Sequence, residues 1–261
     1  DPLGGDLKRA LAALHGVDVA QLLLGNGSHE LLMQFAQVFA GEGDEVVASQ
    51  YGFAVYAIAA QAAGATLVQA PALPAADAMA RGHDLDALAA AITPRTKLVY
   101  LANPNNPTGT WFGMEALRAF LARVPRNVIV VVDEAYAEFN EEGGSALAFT
   151  AAHPNLVVTR TFSKAYALAG LRIGFAVGNT QLVQGLGKVK TNTDSGAFEA
   201  VQAAVVAALS SSQEPVEKMR AIYKERREVL CGGLQRAGFE VLVPKATFYV
   251  LVANPKGLTS S

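Results

Sequence analysis

The chain has 261 residues, long enough for one large α/β domain and part of a second, and its 21 Lys and Arg nearly balance 23 Asp and Glu. This even charge argues against a nucleic-acid groove or an anionic membrane surface as partner, and the chain shows neither an apolar run of ~20 residues nor a signal-peptide pattern. The single cysteine, Cys231, excludes an internal disulfide and favours a cytoplasmic location.

Short β-rich runs alternate with longer amphipathic stretches over the first two thirds of the chain. The runs predict strands at residues 21–24, 45–49, 66–69, 97–101, 128–132, 156–160 and 173–177. Apolar residues at three- and four-residue spacing predict helices at residues 7–14, 28–40, 53–63, 85–91 and 114–123. Uninterrupted apolar runs such as 128–132 are typical of strands buried on both faces of a parallel sheet. We therefore predict an α/β fold, a mainly parallel seven-stranded sheet sandwiched by helices.

The pattern changes after residue 178. The later sequence predicts helices at residues 181–189, 198–209 and 217–230, strands at 240–243 and 247–252, and a turn at 254–257. Helices followed by two strands are typical of a small α+β domain. We predict a large domain over residues 1–205 and a partial small domain over residues 206–261.

Several familiar sites have no sequence signature here. The chain contains neither a phosphate-binding P-loop motif nor a G-x-S-x-G nucleophile motif. Its four histidines are scattered, with no spacing that suits a metal, so we predict no metal site.

Three polar segments each follow a predicted strand, where an α/β sheet binds its ligands. They are Asn103 to Gly109 (Asn-Pro-Asn-Asn-Pro-Thr-Gly), Asp133 to Tyr136 (Asp-Glu-Ala-Tyr), and Thr161 to Lys164 (Thr-Phe-Ser-Lys) with Arg172 eight residues later. Taken singly, these are compatible with an ordinary turn, a helix-capping acid and a solvated lysine.

Taken together, the three segments match one ligand. A lysine forms a Schiff base with an aldehyde, and a carboxylate keeps a pyridine nitrogen protonated. An amide and a phenol can hydrogen-bond a ring oxygen, while hydroxyls, an arginine and a helix N-terminus hold a phosphate. The ligand that carries all of these groups is pyridoxal 5′-phosphate.

On these motifs the sequence resembles the fold-type I pyridoxal-phosphate aminotransferases, and over residues 1–178 it is most similar to the histidinol-phosphate aminotransferase branch. The resemblance implies a fold-type I large domain, a homodimer, an amino donor and a 2-oxo acid acceptor as substrates. It implies Lys164 as the catalytic Schiff-base lysine and Asp133 on the pyridine nitrogen. The other implied cofactor contacts are Asn106 and Tyr136 at the ring hydroxyl, Thr161, Ser163 and Arg172 at the phosphate, Gly27, Ser28 and His29 at the phosphate-binding helix start, and Phe53 stacked on the ring.

The later part of the chain is similar to a different branch. Residues 190–198, 245–250 and 255–257 look more like LL-diaminopimelate aminotransferases. The resemblance also places the arginine for the substrate carboxylate beyond Ser261. The main hypothesis is transamination of histidinol phosphate with 2-oxoglutarate. The alternatives are an LL-diaminopimelate-type or broad-range aminotransferase, a threonine-phosphate decarboxylase, the non-catalytic half of a transcription regulator, and an inactive cofactor-binding fragment.

Overall fold

The computed structural model describes residue 1 and residues 3–253, which form eight α-helices, four short 3-10 helices and nine strands. The helices are α1 (Gly5–His15), α2 (Ser28–Phe39), α3 (Val55–Ala62), α4 (Leu85–Ala90), α5 (Met114–Arg123), α6 (Thr180–Thr193), α7 (Glu199–Ser210) and α8 (Glu214–Arg236). The strands are β1 (Leu22–Gly25), β2 (Glu45–Ser49), β3 (Thr66–Ala70), β4 (Thr96–Ala102), β5 (Ile129–Asp133), β6 (Leu156–Thr161), β7 (Gly174–Gly178), β8 (Val241–Leu242) and β9 (Leu251–Val252).

The first seven strands form one sheet in the order β1-β7-β6-β5-β4-β2-β3. The strands from β6 to β3 run parallel to their neighbours, and β7 is antiparallel to both β6 and β1. This confirms the predicted mainly parallel seven-stranded sheet. Because β7 runs in the opposite direction, its first residues lie at the same edge of the sheet as the last residues of β6 and β1.

Alternate residues of the central strands face two separate apolar layers. Leu98 and Tyr100 of β4 pack with α2, α3 and α6 on one face, whereas Val99 and Leu101 pack with α4 and α5 on the other. The helices α1 and α7 cover β1 and β7. Every central strand is thus buried on both sides, which is why its sequence is apolar throughout.

The C-terminal strands are shorter than the sequence predicts. The expected strand at 247–252 is reduced to β9, because Thr247 has a positive φ of 108° and the backbone N–H groups of Lys245 and Ala246 donate to the carbonyl of Gly109. The predicted helix at 53–63 begins at Val55, so Phe53 lies in the loop before it. The predicted turn at 254–257 lies outside the described residues. None of the helices in the described ranges has the length and hydropathy to cross a bilayer.

Gly174 is the first residue of β7, and it lies against the turn that precedes α2. A Cβ there would lie 2.6 Å from the backbone nitrogen of Ser28 and 2.7 Å from the carbonyl oxygen of Arg160. Because backbone atoms cannot rotate away, we expect Gly174→Ala to lower the free energy of unfolding in urea by about 2 kcal/mol. At Gly170 no described atom lies within 4 Å of an added Cβ, so Gly170→Ala should change the free energy of unfolding by less than about 0.5 kcal/mol. Equal losses in the two variants would contradict this explanation.

Candidate active site

A cavity of about 150 Å³ opens at the carboxyl edge of the sheet. Ten of the eleven site residues predicted from the sequence line it: Ser28, His29, Phe53, Asn106, Asp133, Tyr136, Thr161, Ser163, Lys164 and Arg172. The eleventh, Gly27, does not line the cavity and lies against the guanidinium of Arg172. The cavity forms here because β1, β4, β5 and β6 all end at this edge and β7 begins there.

The first polar segment presents a single asparagine to the cavity. Asn103 exchanges side-chain hydrogen bonds with the backbone of Phe112, at 3.0 and 3.1 Å. Asn105 is 1% exposed and donates to the Tyr51 carbonyl and the Thr108 hydroxyl. These two asparagines hold the loop in shape, and Asn106 lines the cavity.

The second segment contains two acids with different surroundings. Glu134 is buried and neutralised by Arg160, whose Nε and Nη2 donate to Glu134 Oε2 at 3.0 and 2.7 Å. Asp133 ends β5 with its carboxylate on the cavity side, where Oδ1 accepts from the Thr159 hydroxyl at 3.1 Å. Asp133 is therefore the acid that remains available to a ligand.

Burial changes the protonation of Asp133 and Tyr136. It raises the pKa of Asp133 to about 6, and hydrogen bonds from Thr159 and the Ala135 backbone limit that rise. Burial, a hydrogen bond involving Tyr249 and the charge of Asp133 together raise the pKa of Tyr136 above its usual value. The Tyr136 phenol thus keeps its proton at neutral pH and can donate a hydrogen bond.

The raised pKa of Asp133 gives the unliganded chain a defined pH dependence. The folded chain holds the proton more tightly than the unfolded chain, whose aspartate pKa is about 3.9. Asp133 therefore favours the fold below about pH 4, and this contribution is lost as the pH rises through about 6. Without ligand, the free energy of unfolding in urea of Asp133→Asn is compared with that of wild type. The difference in favour of the variant should be about 1–3 kcal/mol larger at pH 7 than at pH 4. Exposed Glu142→Gln should show no such difference, and a parallel shift in both variants would contradict the assignment.

Lys164 lies three residues after β6 and is half-buried. Its Nζ is 5.4 Å from the ring centre of Tyr136 and 5.8 Å from that of Phe248. Lys164 and Asp133 line the same cavity. One ligand could therefore contact both the amine and the carboxylate.

The third segment and the start of α2 form an anion-binding group. Thr161 donates its hydroxyl to Ser163 Oγ at 3.0 Å, and Arg172 Nη1 donates to the same oxygen at 3.3 Å. Gly27 precedes α2 with φ 84°, and no side chain caps the helix, so its first N–H groups face outward. A Cβ on Gly27 would lie 2.6 Å from Arg172 Nη2, so only glycine lets the guanidinium approach this turn. A helix N-terminus, two hydroxyls and an arginine suit a phosphate.

Tyr249 is a polar cavity residue that the sequence analysis did not select. It approaches from the segment after α8, with its ring centre 5.8 Å from that of Tyr136. The other additional lining residues are Ala102, Pro104 and Ala135. The aromatic run Phe248-Tyr249 was visible in the sequence, but its position depends on the contact between residues 244–247 and Gly109.

Comparisons with known proteins agree with this geometry. A family model described as aminotransferase class I and II matches residues 4–257. The chain is 42% identical over 256 residues to histidinol-phosphate aminotransferase 2 of Hydrogenovibrio crunogenus, covering 97% of this chain and 66% of that protein. It is 40% identical over 251 residues to an aromatic amino acid aminotransferase of Cutibacterium acnes, covering 95% of this chain and 69% of that protein.

A solved structure extends the similarity to the fold. Histidinol-phosphate aminotransferase from Sinorhizobium meliloti, in complex with pyridoxal-5′-phosphate, superposes with a TM-score of 0.86 at 32% identity. The match covers 94% of this chain and 65% of that one. The chain therefore spans about two thirds of the length of these relatives.

Proposed function

Because the chain belongs to the class I and II aminotransferase family, we propose that it binds pyridoxal 5′-phosphate and transfers an amino group from a donor to a 2-oxo acid. The observation that carries the proposal is that the amine of Lys164, the carboxylate of Asp133 and the anion-binding group all border one cavity. Each of these groups complements a different part of that cofactor: its aldehyde, its pyridine nitrogen and its phosphate.

The residues fit the cofactor in chemistry as well as in position. Asp133 would pair with the protonated ring nitrogen, an interaction that replaces the proton which burial favours in the unliganded chain. Asn106 and Tyr136 would hydrogen-bond the ring hydroxyl, and Phe53 would pack on the ring. Thr161, Ser163, Arg172, Gly27, Ser28 and His29 would surround the phosphate.

The bound cofactor supplies an electron sink for the carbanion formed when an amino acid loses its α-proton. Lys164 would hold the cofactor through its aldehyde before substrate arrives, and once released its amine would take up the α-proton of the amino donor. A positioned acid–base group of this kind contributes about 10²–10⁴-fold to a rate. Asp133 would favour the protonated form of the ring nitrogen.

We propose L-histidinol phosphate as the amino donor and 2-oxoglutarate as the acceptor. The support is the identity of 42% with histidinol-phosphate aminotransferase 2 of H. crunogenus over almost the whole chain. The similarity of 40% to an aromatic amino acid aminotransferase favours an aromatic amino acid as the second candidate donor. We further propose a cytoplasmic homodimer, supported by the single cysteine and by the family resemblance of the motifs.

The donor is tested with the full chain loaded with pyridoxal phosphate. L-Histidinol phosphate, L-phenylalanine and LL-diaminopimelate are supplied separately with 2-oxoglutarate, and glutamate is measured. Glutamate formed chiefly from histidinol phosphate supports the first proposal, and glutamate chiefly from phenylalanine supports the second candidate. Carbon dioxide release without glutamate would indicate a decarboxylase. A chain that binds the cofactor and turns over none of the three would contradict the proposed activity.

A further inference from the structure

A buried lysine connects α6 to the start of α2. Lys190 is 4% exposed, and its Nζ donates to Glu30 Oε2 at 2.9 Å and to Asp194 Oδ2 at 2.7 Å. Asn26 Nδ2 donates to the same two carboxylates, at 3.0 Å to Glu30 and 2.8 Å to Asp194. We call Asn26, Glu30, Lys190 and Asp194 the Lys190 cluster. None of the four is among the residues that line the candidate active site.

The Lys190 cluster is attached to the turn that forms the anion-binding group. The backbone N–H of Asn26 donates to Glu30 Oε2 at 2.7 Å, and the N–H of Gly27 donates to the Gly25 carbonyl at 2.8 Å. These bonds fix the backbone immediately before Ser28, where the free N–H groups of α2 begin. The Glu30 side chain thus ties the backbone of Asn26 to the first turn of α2.

Charge makes Lys190 the central member of the cluster. The carboxylates of Glu30 and Asp194 are bound to the same ammonium and the same amide, so they lie close enough to repel one another. Burial opposes the charged form of Asp194, but hydrogen bonds from Lys190 and the Gly196 backbone hold its pKa below the usual value. Without the ammonium, two carboxylates would face each other in a partly buried place, and Glu30 would be driven from its bond to Asn26.

We propose that Lys190 is a positioning residue for the phosphate of the cofactor, acting through Glu30 on the turn at Asn26 and Gly27. The proposal rests on the proposed cofactor, and it assigns a role in phosphate affinity to a residue outside the cavity. Lys190 contributes to binding by fixing the N–H donors of α2 in the orientation that an anion needs.

Equilibrium dialysis of the full chain against pyridoxal phosphate and against pyridoxal, which lacks the phosphate, tests the role. In Lys190→Met we expect the Kd for pyridoxal phosphate to rise about tenfold, the value of one hydrogen bond to a charged group. The Kd for pyridoxal should change little, because the contacts to the ring and the aldehyde remain. Asn26→Ala removes the amide that joins the two carboxylates but keeps the backbone N–H bond to Glu30, so it should show the same selective loss to a smaller extent. Its side chain is exposed, so it tests the proposal even if Lys190→Met does not fold.

The matched control is Lys188→Met, which removes an exposed lysine two residues earlier on α6. It should bind both compounds as wild type does, which would exclude a general effect of removing one positive charge. If Lys190→Met and Asn26→Ala weakened the binding of pyridoxal and of pyridoxal phosphate equally, the role of Lys190 would be merely structural and the proposal would be overturned. Unchanged affinities for both compounds would overturn it as well. A wild-type chain that binds neither compound would instead contradict the proposed function, and the assignment of Lys190 with it.

Discussion

Replacing Lys164 with alanine is expected to abolish covalent attachment of pyridoxal phosphate and to reduce amino transfer by at least about 10²–10⁴-fold. Lys164 is the amine that borders the cavity together with Asp133, so its loss would remove both the proposed attachment point and the group proposed to move the proton. The measurement is the mass of the chain after borohydride treatment with the cofactor, together with the absorbance band of lysine-bound pyridoxal phosphate.

A second substitution separates the chemistry of Lys164 from its charge. Lys164→Arg keeps a cation beside the Tyr136 ring but offers no amine that condenses with an aldehyde. It should bind the cofactor without a covalent bond and remain inactive. Lys188→Ala, on an exposed part of α6, should behave as wild type. If borohydride still fixed the cofactor in Lys164→Ala, the lysine assignment would be wrong.

The second large effect is expected at Asp133. Removing one partner of a buried ion pair costs about 3–5 kcal/mol, so Asp133→Ala should lower the rate of amino transfer by about 10²–10⁴-fold at saturating cofactor. The reason is that the ring nitrogen would lose the carboxylate that we propose keeps it protonated. The rate is measured as glutamate formed from 2-oxoglutarate with the best donor.

Two comparisons make the result at Asp133 specific. Asp133→Asn should also transfer amino groups slowly, because an amide fills the space but carries no charge. The same substitution should stabilise the unliganded fold, relative to wild type, more at pH 7 than at pH 4. Glu142→Gln removes an exposed carboxyl and should leave the rate unchanged. Full activity in Asp133→Asn would show that the acid does not act through its charge.

Opposite effects of one substitution on activity and on stability are expected of a residue that serves ligand binding rather than folding. In the unliganded chain Asp133 lies in a buried place that favours its neutral form, which raises its pKa to about 6. The carboxylate therefore weakens the fold at neutral pH until a cation pairs with it. At neutral pH the buried carboxylate lowers the stability of the unliganded fold, and the same carboxylate favours a positively charged ligand in the cavity.

The central fold was predictable because each strand carries its own signal. The runs at 97–101 and 128–132 are apolar on both faces, and the structure buries both faces of β4 and β5. The three polar segments were predictable in the same way, since parallel strands bring their carboxyl ends together. Local sequence was therefore sufficient to bring the seven candidate residues of these segments to one cavity, whereas Ser28, His29 and Phe53 were assigned through the family resemblance.

Contacts between distant parts of the chain were not predictable. Lys190 and Glu30 are 160 positions apart, and no local pattern in either helix identifies the other as its partner. The position of Tyr249 depends on Pro244, which would lie 2.3 Å from a Cβ on Gly109. The strand at 247–252 was predicted from alternating β-forming residues, but bonds to the Gly109 carbonyl hold its first part out of a sheet. Tertiary contacts override propensity at such places.

The reversed direction of β7 has a consequence for how this protein could be altered. All the residues that we assign to the cofactor lie between positions 27 and 172, and β7 returns the chain so that Arg172 meets Gly27 across the sheet edge. After α7, Tyr249 is the one residue of the described chain that borders the cavity. We therefore expect that replacing residues 211–253 with a foreign sequence would change which donors the proposed amino transfer accepts and would leave the affinity for pyridoxal phosphate largely unchanged.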